Sequence, residues 1–188
     1  EKGMAILRKH ISNPNCLTSK RKEIIKRLEG MKKLVPGALA PDFIIRDNEG
    51  NNFEFHKWKS KVRYKLLLFW STSCSGCYQL TKELIQWHNE PLNKEKLDIV
   101  TVNLGETETE ARIWKDIIVN FPGWEHLYAQ GGVNSLVAND YAILSTPVMF
   151  LIESESNLIV SSPGNFEQLI KDLQKGVNKS IVNSFSDN

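Results

Sequence analysis

The sequence YKLLLFWSTSCSGC, residues 64–77, decides the fold of this chain. Its first seven residues, Tyr64–Trp70, are almost wholly apolar, which is typical of a short strand buried on both faces. The next segment, residues 77–89, carries leucines at helical spacing and predicts a helix. The two cysteines, Cys74 and Cys77, are therefore expected between a buried strand and the N-terminus of a helix.

Predicted strands and helices alternate on both sides of this junction. We expect further strands over 43–46, 52–55, 97–102, 125–129, 148–152 and 158–161, and helices over 107–119, 135–141 and 166–173. Because a strand–helix–strand unit makes a right-handed crossover, strands 64–70 and 97–102 should be parallel neighbours. The alternation predicts an α/β fold with a mixed central sheet flanked by helices.

The N-terminal segment differs from the rest of the chain in its charge. The 188 residues have a net charge of +2, but residues 1–35 hold 10 Lys or Arg against 3 Glu, a balance of +7. Apolar residues at helical spacing predict two helices there, 4–11 and 19–34. A basic segment can attract nucleic acid or anionic lipid. We expect no nucleic-acid partner, since the apolar positions need a protein surface to bury against.

Composition and local sequence divide the chain into three parts. With 41% hydrophobic and 24% charged residues, it is globular rather than disordered. Its apolar runs are far shorter than the roughly 20 residues of a membrane helix. Prolines and a glycine near residue 36 mark a boundary. We expect a basic helical extension, or the remnant of a preceding domain, over 1–36, one domain over 37–176, and a frayed tail over 177–188.

The position of the two cysteines predicts different roles for them. The N-terminus of a helix carries unpaired N–H groups and about half a positive charge, which stabilise a thiolate at Cys74. The pKa of that thiol should fall below its ordinary value of about 8.5. Cys77 lies one turn into the helix and should be buried. Cys74 is therefore the candidate nucleophile in disulfide exchange, and Cys77 the candidate resolving thiol.

Two other uses of the cysteine pair are open. A structural zinc site needs four ligands, whereas the remaining candidates are scattered singly: Cys16, His10, His56, His88 and His126. A peroxidatic Cys74 would reduce peroxide by way of a sulfenic acid. However, Leu67 and Ser71 stand where a peroxiredoxin motif has Pro and Thr. We expect no bound metal, and Cys16 to be a bystander.

From Gly37 to about Leu173 the chain resembles the thioredoxin-fold thiol–disulfide oxidoreductases of the TlpA/ResA (AhpC/TSA-like) type. Three motifs carry the resemblance in order: GALAPDF at 37–43, LLFWSTSCSGC at 67–77 and STPVMFLI at 145–152. The resemblance implies a three-layer thioredoxin-like fold, here with an N-terminal helical extension. It also implies that Cys74 and Cys77 cycle between dithiol and disulfide without an organic cofactor.

The same resemblance implies supporting roles around the cysteines. The proline that opens the last hairpin is cis in that family and packs against the disulfide, and here it is Pro147. The backbone of Thr146 would be free to pair with an extended substrate. Trp70 matches the tryptophan beside the active site, and Ser75 and Gly76 separate the cysteines.

Two acids that relatives place near the resolving cysteine are replaced here. Leu68 and Leu80 occupy their positions. Glu83 lies elsewhere on the helix, where a solvated surface carboxylate is expected. Water is then the expected proton acceptor for Cys77.

The resemblance implies a reductase of disulfides in extracytoplasmic proteins, served by an upstream electron donor or acceptor. We expect a monomer in the periplasm. Because the chain opens with Glu1 and has no signal-peptide pattern, we expect a trimmed or mature fragment whose membrane anchor could precede it. The alternatives are a binding module with slow or vestigial redox activity, and a thiol peroxidase.

Overall fold

The computed structural model describes residues 18–186, together with Lys9 and Ser12. The predicted helix over 4–11 lies, apart from Lys9, outside the described residues. The elements follow in this order: α1 (Thr18–Met31), β1 (Ile44–Arg46), β2 (Asn52–Glu54), β3 (Tyr64–Trp70), α2 (Ser75–His88), α3 (Pro91–Lys94), β4 (Leu97–Gly105), α4 (Glu108–Ile118), β5 (Glu125–Gln130), a 3₁₀ turn (Gly132–Asn134), α5 (Leu136–Asp140), β6 (Val148–Glu153), β7 (Ile159–Ser161) and α6 (Phe166–Ser186).

Five strands form the central sheet, in the order β5-β4-β3-β6-β7. β3 pairs in parallel with β4, and β4 in parallel with β5. β6 runs antiparallel to both β3 and β7. The predicted mixed sheet and the parallel pairing of strands 64–70 and 97–102 are confirmed. β1 and β2 form a separate antiparallel hairpin.

Each face of the sheet is covered, so the molecule has three layers. All seven residues of β3 are buried. On one face, Leu66 and Leu68 pack with residues of α2, α4 and α6. On the other face, Leu67 and Phe69 pack with Phe55 of the segment after β2 and with residues of α5. Strand β3 therefore lies at the centre of the core, and its C-terminal end leads directly to the two cysteines.

The last helix and a short helix after α2 differ from the predictions. The last helix, predicted over 166–173, continues as α6 to Ser186. No proline follows Pro163 to stop it. The short helix α3 was not predicted, although Pro91 at its first position is a favourable helix start.

The segment after α1 lies along the edge of the sheet. The N–H of Ile159 in β7 donates to the carbonyl of Ala38 at 2.8 Å, and the N–H of Gly37 donates to the carbonyl of Ile159 at 2.8 Å. The edge strand β7 is thus covered by residues that precede the hairpin.

Among the described helices, none combines the length and the apolar character that crossing a bilayer requires.

Candidate active site

Cys74 lies between the end of β3 and the start of α2, as predicted. It is the N-cap residue of α2, with an extended backbone at φ −93° and ψ 107°. The N–H of Cys77 donates to the Cys74 Sγ at 3.2 Å. This contact uses one of the N–H groups that a helix leaves unpaired in its first turn. The cap geometry therefore places the sulfur where a negative charge is favoured.

The two cysteines form a disulfide and differ in exposure. Cys74 is partly exposed, whereas the Cys77 side chain is 1% exposed. Cys77 packs in the apolar core beneath α2, together with Leu80 and Leu84. A substrate can therefore reach Cys74 but not Cys77, which agrees with the predicted asymmetry.

The start of β6 meets the start of α2 at the disulfide. The Thr146–Pro147 peptide bond is cis, as the resemblance implied. The carbonyl oxygen of Thr146 lies 3.4 Å from the Cys74 Sγ. A Cβ atom on Gly76 would lie 3.7 Å from Pro147 Cδ, which is an ordinary van der Waals contact. Thr146 is half-buried and Pro147 is exposed, so both border an open surface beside Cys74.

Trp70 lies beneath this surface rather than on it. Its side chain is buried in the same core as Cys77. Its ring centroid is 6.0 Å from that of Phe121, which in turn lies 5.4 Å from Trp124. Trp70 can therefore support the segment that carries Cys74 and Cys77 by packing beneath it. Ser75, the first residue of α2, is exposed next to Cys74.

The side chains around the resolving sulfur are apolar. Leu68 and Leu80 are both buried in the core that contains Cys77. Glu83 is directed to the helix surface, where its carboxylate accepts from the Gln79 amide at 2.7 Å. Neither leucine can accept a proton.

Two buried histidines lie at the end of α2 and in β5. The Nδ1 of His88 accepts from the Trp124 indole N–H at 3.1 Å, and its Nε2 donates to the carbonyl of Leu97 at 2.8 Å. The Nδ1 of His126 accepts from the Thr101 hydroxyl at 2.9 Å, and its Nε2 donates to the carbonyl of Phe121 at 3.0 Å. Burial lowers the pKa of both histidines. These pairings use both nitrogens of each ring and hold the histidines neutral.

The structure brings together five of the seven predicted site residues. Cys74, Cys77, Gly76, Thr146 and Pro147 meet at one end of the sheet. Cys16 and His10 lie outside the described residues. Among the side chains that the structure describes, no three His, Cys, Asp or Glu are grouped to hold a metal ion. Sequence reasoning missed Arg27, a buried cation of α1 whose only signal was its place within an apolar helical stripe.

The model of the thioredoxin-like family matches residues 62–158, just over half of the chain. The chain belongs to the thioredoxin-like family. Among its curated relatives is the thiol-disulfide oxidoreductase ResA of Bacillus cereus strain ZK, 30% identical over 150 residues, which are 77% of this chain and 80% of the relative. ResA of Bacillus subtilis is 28% identical over 147 residues, 76% of each chain. This thioredoxin-like chain is, like them, a thiol–disulfide oxidoreductase.

Solved structures give the same family likeness. The thioredoxin domain of a thiol-disulfide oxidoreductase from Bacteroides vulgatus has a TM-score of 0.62 and 26% identity, covering 77% of this chain and 99% of that one. A thiol:disulfide interchange protein from a Bacteroides species has a TM-score of 0.62 and 26% identity, covering 78% and 92%. A thioredoxin-like protein from Bacteroides caccae, 17% identical with a TM-score of 0.67, covers 91% of this chain and 60% of that one and shares the fold.

Proposed function

We propose that this thioredoxin-like enzyme reduces disulfides of extracytoplasmic proteins, with Cys74 as nucleophile and Cys77 as resolving thiol. The observation that carries the proposal is the asymmetry of the pair. Cys74 is partly exposed at the N-cap of α2, while Cys77 is 1% exposed beneath it. Only the exposed sulfur can attack a protein substrate, and the buried one can attack only its neighbour.

The proposed reaction transfers two electrons in two exchange steps. The Cys74 thiolate attacks one sulfur of the substrate disulfide, whose other sulfur leaves as a thiolate and takes up a proton. Cys77 then loses its proton to water and attacks the Cys74 Sγ. The substrate leaves as a dithiol, and the enzyme is left with the Cys74–Cys77 disulfide. A dithiol donor restores the reduced enzyme, so no metal or organic cofactor takes part.

Substrate binding is proposed along Thr146 and Pro147. The Thr146 carbonyl lies 3.4 Å from the Cys74 Sγ, so an extended peptide that pairs with this backbone would bring its sulfur to Cys74. Ser75 and Gly76 form the opposite border, and Trp70 supports the loop from below. Protein thiols and disulfides are thus the proposed substrates of a monomeric enzyme.

The proposed location is extracytoplasmic. Stable disulfides persist in oxidising compartments, so a protein-disulfide reductase has its substrates there. The resemblance to the TlpA/ResA type supports a periplasmic location. A membrane anchor ahead of residue 1 would attach the domain to the membrane there. Residues 37–176 are the proposed catalytic domain, and α1 is a proposed extension of it.

The roles of the cysteines are tested by trapping the mixed disulfide. With dithiothreitol as electron donor and a peptide disulfide as substrate, Cys74→Ser should lower the rate to that without protein. Cys77→Ser, reduced and then separated from dithiothreitol, should accumulate one substrate peptide per chain on Cys74, visible by mass spectrometry, because neither the resolving thiol nor an added thiol can release it. Cys16→Ser is the matched control and should turn over like the wild type. Labelling of Cys77 in a Cys74→Ser variant would contradict the proposed order.

The direction of turnover is tested by the reduction potential of the Cys74–Cys77 pair. Equilibration in glutathione or dithiothreitol buffers can be followed by tryptophan fluorescence, since Trp70 lies beside the pair in the core. A value near −270 mV, about that of thioredoxin, supports a reductase. A value near −120 mV, about that of a strong oxidant, would indicate disulfide donation instead.

A further inference from the structure

A buried cation of helix α1, Arg27, contacts the segment between β5 and β6. Its side chain is 3% exposed. The Nη1 group donates to the carbonyl oxygens of Ala138 at 2.7 Å and Ile143 at 3.0 Å. The Nη2 group donates to the carbonyl oxygen of Val133 at 2.7 Å. All three acceptors belong to the main chain between β5 and β6, more than 100 residues away in sequence.

The close approach of α1 makes this contact possible. A Cβ atom on Gly30 would lie 3.3 Å from the Cβ of Ala142, so the helix backbone almost touches this segment. Leu28, next to Arg27, is buried as well. Burying a guanidinium costs several kcal/mol unless its N–H groups are bound. Three carbonyl acceptors on Nη1 and Nη2 offset part of that cost, while the buried Nε–H has no hydrogen-bond partner among the described residues. A planar guanidinium can reach three separate acceptors, which a single ammonium does less well.

The segment that Arg27 holds leads directly into the substrate-binding loop. Ile143 is buried, and its own N–H donates to the Ala138 carbonyl at 2.7 Å. The next four residues, 144–147, are half-buried or exposed and include Thr146 and Pro147. After them, Val148 pairs with β3. The loop 144–147 is therefore fixed at both ends, by the hydrogen bond of Arg27 to Ile143 before it and by the pairing of Val148 with β3 after it.

We propose that Arg27 is a positioning residue for substrate recognition. By fixing the Ile143 carbonyl, it holds the loop 144–147 in the conformation that binds an extended peptide beside Cys74. This inference rests on the proposed function and assigns the basic extension a role in it. Arg27 does not touch the reacting sulfurs, so its effect should be on peptide binding and not on the chemistry of exchange.

Two substrates separate positioning from chemistry. A peptide disulfide uses the Thr146 backbone, whereas hydroxyethyl disulfide is too small to pair with it. In the full chain, Arg27→Met keeps the aliphatic stem but removes every donor. We expect KM for the peptide disulfide to rise about tenfold, which corresponds to about 1.4 kcal/mol, with kcat and the rate with hydroxyethyl disulfide within about twofold of wild type.

Lys26→Met is the matched control. Lys26 is exposed on the same helix, and its replacement removes the same charge. It should leave both substrates unaffected. The proposal would be overturned if Arg27→Met and Lys26→Met had the same KM for the peptide disulfide. It would also be overturned if Arg27→Met lost activity equally with the peptide disulfide and with hydroxyethyl disulfide. If Arg27→Met does not fold, Arg27→Lys is measured and should raise the peptide KM by a smaller factor, again without change for hydroxyethyl disulfide.

Hydrogen exchange tests the positioning without reference to catalysis. Amides of residues 144–146 and 148–150 should exchange faster in Arg27→Met than in Lys26→Met, because the hydrogen bond that holds Ile143 is lost. Unchanged exchange would overturn the proposal even if the kinetics differed. If the wild type reduces neither substrate, the proposed function fails, and the exchange data still decide whether Arg27 holds the loop.

Discussion

Lys65 carries an ammonium group into the core of the molecule. It lies in the middle layer, on β3, with its side chain fully buried. Its Nζ donates to the Asn157 Oδ1 at 2.5 Å and lies 4.1 Å from the centroid of the Phe55 ring. Burial lowers the pKa of Lys65 to about 8. The folded state therefore holds this charge at a cost on the order of 3 kcal/mol relative to the unfolded chain.

Replacing Lys65 with methionine should stabilise the protein. Lys65→Met removes the desolvation cost and keeps the volume, so we expect a gain of about 1–3 kcal/mol in the free energy of unfolding at pH 7. Between pH 8 and 10.5 the unfolded lysine binds more protons than the folded one, so wild-type stability should rise with pH, and this rise should vanish in the variant. Urea unfolding between pH 7 and 10.5 measures both the free energy of unfolding and its dependence on pH. Lys59→Met, at an exposed position, should change neither, and a loss of stability in Lys65→Met would contradict the account.

Helix α2 depends on its first turn, where a glycine stands between the two cysteines. Gly76 has no left-handed backbone, and an added Cβ would meet Pro147 only at ordinary contact distance. A glycine inside a helix costs about 0.5–1 kcal/mol relative to alanine. Gly76 therefore lowers the stability of the first turn of α2, although the space around it would accept an alanine side chain.

Alanine at position 76 should stabilise the fold. We expect Gly76→Ala to raise the free energy of unfolding by about 0.5–1 kcal/mol, because the unfolded chain loses conformational freedom. Gly50→Ala is the matched comparison, since Gly50 has a φ of +93° in the β1–β2 turn and open space around it. That variant should lose roughly 1 kcal/mol through backbone strain. Thermal unfolding measures the stability of both variants. The prediction would be contradicted if the two substitutions changed the stability in the same direction.

The stability of the whole molecule should depend on two buried histidines. Burial lowers the pKa of His88 and of His126, so the folded state binds fewer protons than the unfolded state once the pH falls below the ordinary value of 6.5. Stability is therefore fully present above about pH 6.5 and is lost as the pH falls toward the lowered values. Protonation of His88 would also set a ring N–H against the Trp124 indole N–H.

Urea unfolding at pH 7.5 and pH 5.5 tests this dependence. The wild type should lose stability with a slope of at most ~1.4 kcal/mol per pH unit for each histidine. His126→Gln should reduce the slope, because its amide does not titrate. An unaltered slope in His126→Gln would contradict the prediction.

Local sequence predicted much of the fold and most of the candidate site. β3 follows from an apolar run, α2 from its leucines, and the cysteine junction from their order along the chain. The cis bond before Pro147 was predicted only through the family resemblance. The length of α6 and the contacts of Lys65 were not predicted. The apolar run predicted a strand buried on both faces, but it could not reveal that Asn157 and Phe55 would contact the Lys65 ammonium group.

By itself, the sequence determined the alternation of strands and helices and the pairing of Cys74 with Cys77, because these depend on residues close together in the chain. Only the tertiary structure decided which segments meet across the chain. It brought Arg27 to the carbonyl of Ile143, 116 residues away, and His88 to Trp124, 36 residues away. Such contacts depend on how whole layers pack, since a buried polar group takes whichever partner the fold brings within hydrogen-bond distance.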